Sequence, residues 1–171
     1  DYAVTYENGV YKLVVPTVKN VNTGKLYDKL QAAIDEASSG DEIEVLKDIE
    51  VNINDVEGLP TVGGFPTYYE VTGKTISIDL NGKTIKANVT ATDMLLGLFS
   101  TEQSGNLTLK DSSNGNGKVE IVATDDADVY SLITNYDSSS AITIDGGNYI
   151  LNKVGDSGQS LIYDSPGNMV V

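Results

Sequence analysis

Three aspartates, Asp79, Asp111 and Asp145, stand at the ends of short alternating segments that read alike: TISID, NLTLKD and AITID. Aligning the segments puts Asp79, Lys110 and Asp145 in one column, with Asp111 beside it. If the segments stack as neighbouring strands about 4.8 Å apart, Asp79 and Asp145 lie roughly 9–10 Å from each other. That is the outer edge of the separation at which two carboxylates serve an inverting glycosidase, one as acid and one as base. The plainer reading of the column is a solvated charge ladder at a turn, in which Lys110 relieves carboxylate repulsion. The plainer reading is the expectation, with Asp79, Asp111 and Asp145 as the catalytic set only in the alternative.

A second acidic group, Asp125, Asp126 and Asp128 in ATDDADV, has the ligand type calcium prefers. It lacks the glycine and the closing glutamate of an EF-hand loop, so a polar turn is expected and no metal is assigned. Asn114-Gly115-Asn116-Gly117 is turn sequence, not a dinucleotide loop, because no strand–loop–helix order surrounds it. The aromatic residues offer a different chemistry. Phe65, Tyr68 and Tyr69 fall in one stretch, and Tyr130, Tyr136, Tyr149 and Tyr163 follow at wider spacing. A tyrosine presents a flat apolar face with a hydroxyl at its rim, which suits sugar rings and protein partners alike. Rings that merely cover a lateral surface are the competing account. The Phe65, Tyr68 and Tyr69 group is the expected ligand-binding site.

Composition excludes much else. The chain has 171 residues, 25 acidic and 11 basic, for a formal net charge of −14, and every basic residue is lysine. Such a charge disfavours nucleic acid and anionic membrane surfaces, both of which are bound by neutralising phosphate. A polyanionic glycan would be repelled unless a cation such as calcium bridged it; no other cofactor is expected. Histidine, cysteine and tryptophan are absent. Serine and cysteine triads, disulfides and His- or Cys-ligated zinc are therefore impossible. No apolar run reaches the roughly eighteen residues that span a bilayer. The chain begins at Asp1 without methionine, so a processed or excised segment is expected.

These residues need elements to hold them. KTISIDLNGKTIKA, residues 74–87, is a strand, an Asn-Gly bend and a second strand. The same unit recurs at 106–122 and 141–151, with a truncated copy at the end. One inward residue per unit, Ile43, Ile76, Leu107, Ile142 and Met169, recurs at gaps of 33, 31, 35 and 27 residues. A period of roughly 20–50 residues marks a repeat architecture. Runs at 94–100, 129–136 and 160–164 can supply a third strand per repeat. The 41–51 segment is taken as the first coil, and 52–73, with two prolines and an aromatic cluster, as an insertion after it. Leu26, Leu30, Ala33, Ile34 and Ala37 share one helical face, which predicts a helix over about 27–38 with Asp28 as N-cap and Gly40 as its stop. A helix before the first coil would cover the open end of the stack. Tyr2–Val15 alternates about Asn8-Gly9, the strongest short hairpin signal. That hairpin either packs on the domain or is the last piece of a preceding module.

The string LQAAIDEASSGDEIEVLKDIEV followed by GKTISIDLNGKTI resembles the opening of right-handed parallel β-helix domains in large bacterial cell-surface proteins, which are similar in fold to pectate lyases. The matching residues are Leu30, Ala33 and Ile34 on the helix, Gly40 and Asp41 before the first strand, then Ile76, Ile78, Asp79, Leu80, Asn81, Gly82 and Ile85. The likeness runs over about residues 26–122, and the 52–73 insertion departs from it. It implies a fold far more than a function, since one solenoid hosts lyases, hydrolases, adhesins and stalks. The lyases of this resemblance use basic residues with calcium, and arginine is missing here.

The expectation is therefore an all-β solenoid: a single-stranded right-handed parallel β-helix over 26–171, preceded by a hairpin and connector over 1–25. The expected function is non-catalytic adhesion or display on a secreted bacterial surface protein, binding glycan or cell-surface protein through the 52–73 loop and the tyrosine-bearing side. The alternatives are a polysaccharide-degrading lyase or hydrolase, and a structural spacer. Because the chain stops at Val171 inside a strand, the protein is expected to continue, or two copies to meet end to end there.

Overall fold

The computed structural model describes residues 2–153, 160–164 and 169–170. Just over half of the described residues, 54%, are in strands, and the strands stack in parallel as a β-solenoid of about three turns. Each coil runs through three sheets. The first coil is β5 (Glu42–Val45), β6 (Ile49–Ile53) and β8 (Phe65–Thr72), with the short β7 (Thr61–Val62) before β8. The second is β9 (Thr75–Asp79), β10 (Thr84–Val89) and β11 (Gly97–Glu102). The third is β12 (Asn106–Lys110), β13 (Lys118–Ala123) and β14 (Ser131–Asn135). Then come β15 (Ala141–Asp145), β16 (Asn148–Lys153) and β17 (Ser160–Asp164), and β18 (Met169–Val170) re-enters the first sheet.

The period-2 pattern explains the coil. In β9, β10, β12 and β13 apolar residues alternate inward with polar residues outward, so each strand contributes one face to a common core. The core is a column of stacked apolar side chains: Ile76, Leu107 and Ile142 in one rung line, Ile85 and Val119 in another, Phe99 and Ile133 in the third. Burial of those rows, repeated coil on coil, is what stabilises a fold whose coils pair strand to strand with the coils beside them. The register corrects one alignment read from sequence. Ile43 stacks on Ile78, not on Ile76. An offset of two residues keeps the same side inward, so the core face was legible although the rung was not. Met169 pairs with Ile142, while its side chain and Val171 lie outside the described residues.

Before the solenoid, β1 (Ala3–Glu7) and β2 (Val10–Val14) form the expected antiparallel hairpin, with Asn8 and Gly9 at φ 50° and 80° in its turn. The stretch read as a connector is more ordered than that. β3 (Val18–Asn20) pairs antiparallel with both β4 (Leu26–Tyr27) and β5, so it takes the edge of β5 that a further coil would use.

The helix α1 (Leu30–Glu36) is shorter than its periodicity suggested. Tyr27 is held in β4 by its pairing with Val18, which prevents the helix from starting there. Lys29, not Asp28, is the N-cap, and it makes no side-chain cap bond. The far end stops at an extended Ala37, ahead of Gly40. Its carbonyls are satisfied from another coil: Lys74 Nζ donates to the oxygens of Ile34, Asp35 and Ala37 at 3.0, 2.8 and 3.1 Å. The buried stripe of Leu30, Ala33 and Ile34 matches the expected face.

The 52–73 insertion also needs correction. Residues 65–72 are β8, the third strand of the first coil, paired in parallel with β11. The excursion is the segment before it, from which β7 folds back antiparallel on the start of β8. Pro60, Pro66, Gly63 and Gly64 hide this strand from a pattern search, because prolines inside a run argue against a strand. Pro66 is tolerated since its carbonyl, which accepts the Leu96 amide at 2.7 Å, is the group the ladder needs.

Candidate functional site

The third sheet, β8–β11–β14–β17, decides where the aromatic residues go. On β8 the alternation sends Tyr69 inward, 4% exposed and 5.0 Å from the Phe99 ring, and Tyr68 outward. Burial pushes the Tyr69 hydroxyl far up from its ordinary value, with the neighbouring Tyr68 adding to it. Phe65, 41% exposed, sits at the strand's start, where it pairs with Val62 of β7. The three residues grouped by sequence are thus divided: one in the core and two on different surfaces. Tyr68 lines a hollow of about 440 Å³ with Leu59, Pro60, Ile49 and the charged Lys47 and Asp48.

Phe65 instead joins the later tyrosines. It converges with Met94, Leu96, Tyr130, Tyr136 and Tyr163 on a hollow of about 290 Å³. Each wall comes from a different coil. Phe65 opens β8, Met94 and Leu96 lie just before β11, Tyr130 and Tyr136 flank β14, and Tyr163 lies on β17. Stacking brings these segments together: the Leu96 amide donates to the Pro66 carbonyl at 2.7 Å, the Tyr130 amide to the Leu95 carbonyl at 2.9 Å and the Tyr136 amide to the Thr101 carbonyl at 3.0 Å, while Tyr163 pairs with Thr134. Phe65 and Tyr136 are 6.4 Å apart and tilted, while Tyr130 and Tyr163 meet edge-to-face at 4.9 Å. A hydrogen bond to Tyr163, with desolvation secondary, holds the Tyr130 hydroxyl above its ordinary range.

Gly63 leaves room for the Tyr136 ring. A Cβ there would stand 2.0 Å from Tyr136 Cζ, and its φ of 58° already disfavours a side chain. The Gly63 amide donates to Glu102 Oε2 at 2.8 Å, which ties the β7–β8 turn to the second coil. The same sheet also buries several hydroxyls. Ser131 Oγ donates to the Leu96 carbonyl at 3.0 Å and Thr134 Oγ1 to the same oxygen at 3.2 Å. Thr67 and Ser100 hydroxyls meet at 2.7 Å.

The carboxylates have another occupation. Register places Lys110 between Asp79 and Asp145, as the sequence column implied. Lys110 Nζ bonds Glu42 at 2.7 Å and stands 4.0 Å from Asp79. Asp79 is nearly buried, and its Oδ1 accepts the amides of Asn81 at 2.8 Å and Ser112 at 3.0 Å. Asp111 does the reverse across the same two coils. Its Oδ1 accepts Gly82 N at 2.9 Å and Ser113 Oγ at 2.7 Å, and its Oδ2 accepts Gly115 N at 2.9 Å and Gly117 N at 2.8 Å. Burial alone would raise the Asp111 pKa. The bonds from Ser113, Gly117 and Gly82 overcome that and hold it well below the usual carboxylate range.

The same stitch recurs at other corners: Asp48 takes Thr84 N at 2.8 Å, and Asp137 takes Gln103 N at 2.8 Å. Sequence reading missed this use of acidic residues. The signal was there for Asp79, Asp111 and Asp137, each followed within a few residues by Ser, Asn or Gly, though not for Asp48. Asp145 is exposed at the end of β15. Asp125, Asp126 and Asp128 are exposed at a turn, and among the described residues no group of three or more carboxylates is placed to hold a metal. Among the described residues no helix is long and apolar enough to cross a membrane.

Comparison with protein-family models, curated proteins and solved structures finds no match to this chain.

Proposed function

We propose that this solenoid is a non-catalytic recognition module of an extracellular bacterial surface protein, and that it takes a neutral glycan in the Phe65–Tyr163 hollow. The observation that carries the proposal is the convergence of one aromatic from the 52–73 stretch with three tyrosines from two later coils. Rings with exposed hydroxyl rims suit the apolar faces and equatorial hydroxyls of a pyranose. The net charge of −14 favours neutral over acidic sugars, and calcium would be needed only for the latter. In this reading the coil is right-handed, like the β-helices it resembles, and α1 with β3 and β4 plugs its first end.

The polysaccharide-degrading alternative would use Asp79, Asp111 and Asp145. Against it stands the commitment of Asp79 and Asp111 to backbone amides. A general acid needs a raised pKa, and Asp111 is held low.

The test is a neutral- and acidic-glycan array on the intact chain, run with calcium and again with chelator. Binding of neutral glycans in both conditions is expected, weakened roughly tenfold by Tyr130→Ala or Tyr163→Ala and unaffected by Tyr68→Ala. Gly63→Ala, which drives Tyr136 out of place, should weaken binding as well. Cleavage of a bound glycan would overturn the reading in favour of the carboxylates. Silence on every neutral glycan would leave a spacer.

A further inference from the structure

The chain has four Asn-Gly steps: Asn8-Gly9, Asn81-Gly82, Asn114-Gly115 and Asn116-Gly117. Such steps are chemically weak points. The glycine nitrogen, unhindered by a Cβ of its own, attacks the asparagine Cγ. A C–N bond forms as the bond to the side-chain nitrogen breaks, and ammonia leaves carrying the amide proton. Water then opens the cyclic imide at either carbonyl, giving aspartate or isoaspartate. Everything depends on the glycine nitrogen losing its proton and reaching Cγ.

Three of the four nucleophiles point at one side chain. The amides of Gly82, Gly115 and Gly117 all donate to the Asp111 carboxylate, at 2.9, 2.9 and 2.8 Å. Two of the matching electrophiles are pinned as well. Asn81 Nδ2 donates to Glu44 Oε1 at 3.0 Å and to the Val45 carbonyl at 3.3 Å. Asn116 Nδ2 donates to the Ser113 carbonyl at 2.9 Å. The fourth step differs. Asn8-Gly9 is exposed at the hairpin tip, and no hydrogen bond from the Gly9 amide is found among the described residues.

We propose that Asp111 guards three Asn-Gly steps against imide formation, and that Asn8 is the asparagine left open to it. A carboxylate opposes the reaction twice: its hydrogen bond must break before the nitrogen can attack, and its charge resists the nitrogen anion. It is too weak a base to take the amide proton itself, the more so because its own pKa is depressed. At Asn8 the consequence is structural. Isoaspartate adds a backbone carbon to a two-residue turn that sets the pairing of Val4 with Leu13 and Tyr6 with Tyr11. The hairpin's register is therefore lost with age, while the coil corners are spared.

The experiment follows deamidation of the full chain at mildly alkaline pH, in native buffer and in concentrated urea, by peptide mapping that separates aspartate from isoaspartate. In urea all four sites should react at similar rates, since each asparagine precedes glycine. In native buffer Asn8 should keep a rate near its unfolded value. Asn81, Asn114 and Asn116 should slow roughly tenfold to a hundredfold, as expected for breaking a charged hydrogen bond first. Native rates at Asn114 and Asn116 equal to their urea rates, or Asn8 as slow as they are, would overturn the proposal. Asp111→Ser separates the carboxylate from mere rigidity. With hydrogen-exchange protection of β9 and β12 retained, Asn114 and Asn116 should accelerate while Asn8 does not, and no acceleration would overturn the guard. If the variant loses that protection, the native-to-urea ratios of the unsubstituted chain decide.

Discussion

Asp111 shows how much one side chain can hold in a coil made of turns. It accepts bonds from Gly82, Ser113, Gly115 and Gly117, so it orders its own loop and fastens it to the coil before. Because its folded pKa lies below the ordinary aspartate value of about 3.9, its contribution is complete above that value and disappears as pH falls toward the folded pKa. Thermal unfolding measured from about pH 7 down to about pH 2 should therefore show a steep loss of stability in the unsubstituted chain and a shallower one in Asp111→Asn. Parallel curves would remove Asp111 from the account. At neutral pH, Asp111→Ala should cost roughly 1–3 kcal/mol, because the amides it leaves are partly enclosed. The residue types were plain from sequence, but the partners were not. Gly82 lies 29 positions from Asp111, and only stacking brings them together.

Elements divide into those announced by pattern and those that needed their neighbours. The strands β9, β10, β12 and β13 alternate cleanly, and their roles were readable. β8 was not, since its proline and paired tyrosines look like an excursion until β11 is laid beside it. That same pairing decides which tyrosine is core and which is surface, a distinction that adjacent letters cannot carry. Corners matter as much as strands. Gly105, between β11 and β12, approaches the backbone of the first coil so closely that a Cβ would lie 1.9 Å from the Val71 carbonyl oxygen. Backbone cannot move aside as a side chain can. Gly105→Ala should destabilise the fold by about 1–3 kcal/mol or more, read from the denaturant midpoint. Gly115→Ala is a contrasting control: a Cβ there meets nothing within 4 Å, and its cost is only that of a φ of 93°. Equal losses would mean that the close approach at Gly105 is not what demands glycine.

For the molecule as a whole, the net charge of −14 makes compaction work against self-repulsion even where corner carboxylates are bonded. Raising ionic strength from about 0.01 M to about 0.5 M should screen that repulsion and raise the unfolding temperature. A fall would show that local ion pairs such as Lys110–Glu42 outweigh the global field. The sequence by itself determined the repeat, the inward rows, the hairpin turn and the exclusion of histidine and cysteine chemistry. These are local matters, set by period-2 alternation, turn residues and the absence of donor atoms. Tertiary structure alone decided the rung register of Ile43, the return of β8 to the coil, the Phe65–Tyr163 hollow and the bond from the Gly82 amide to Asp111. Each joins residues separated by roughly one coil or more, and a coil's length is set by its loops, which carry no periodic signal to count by.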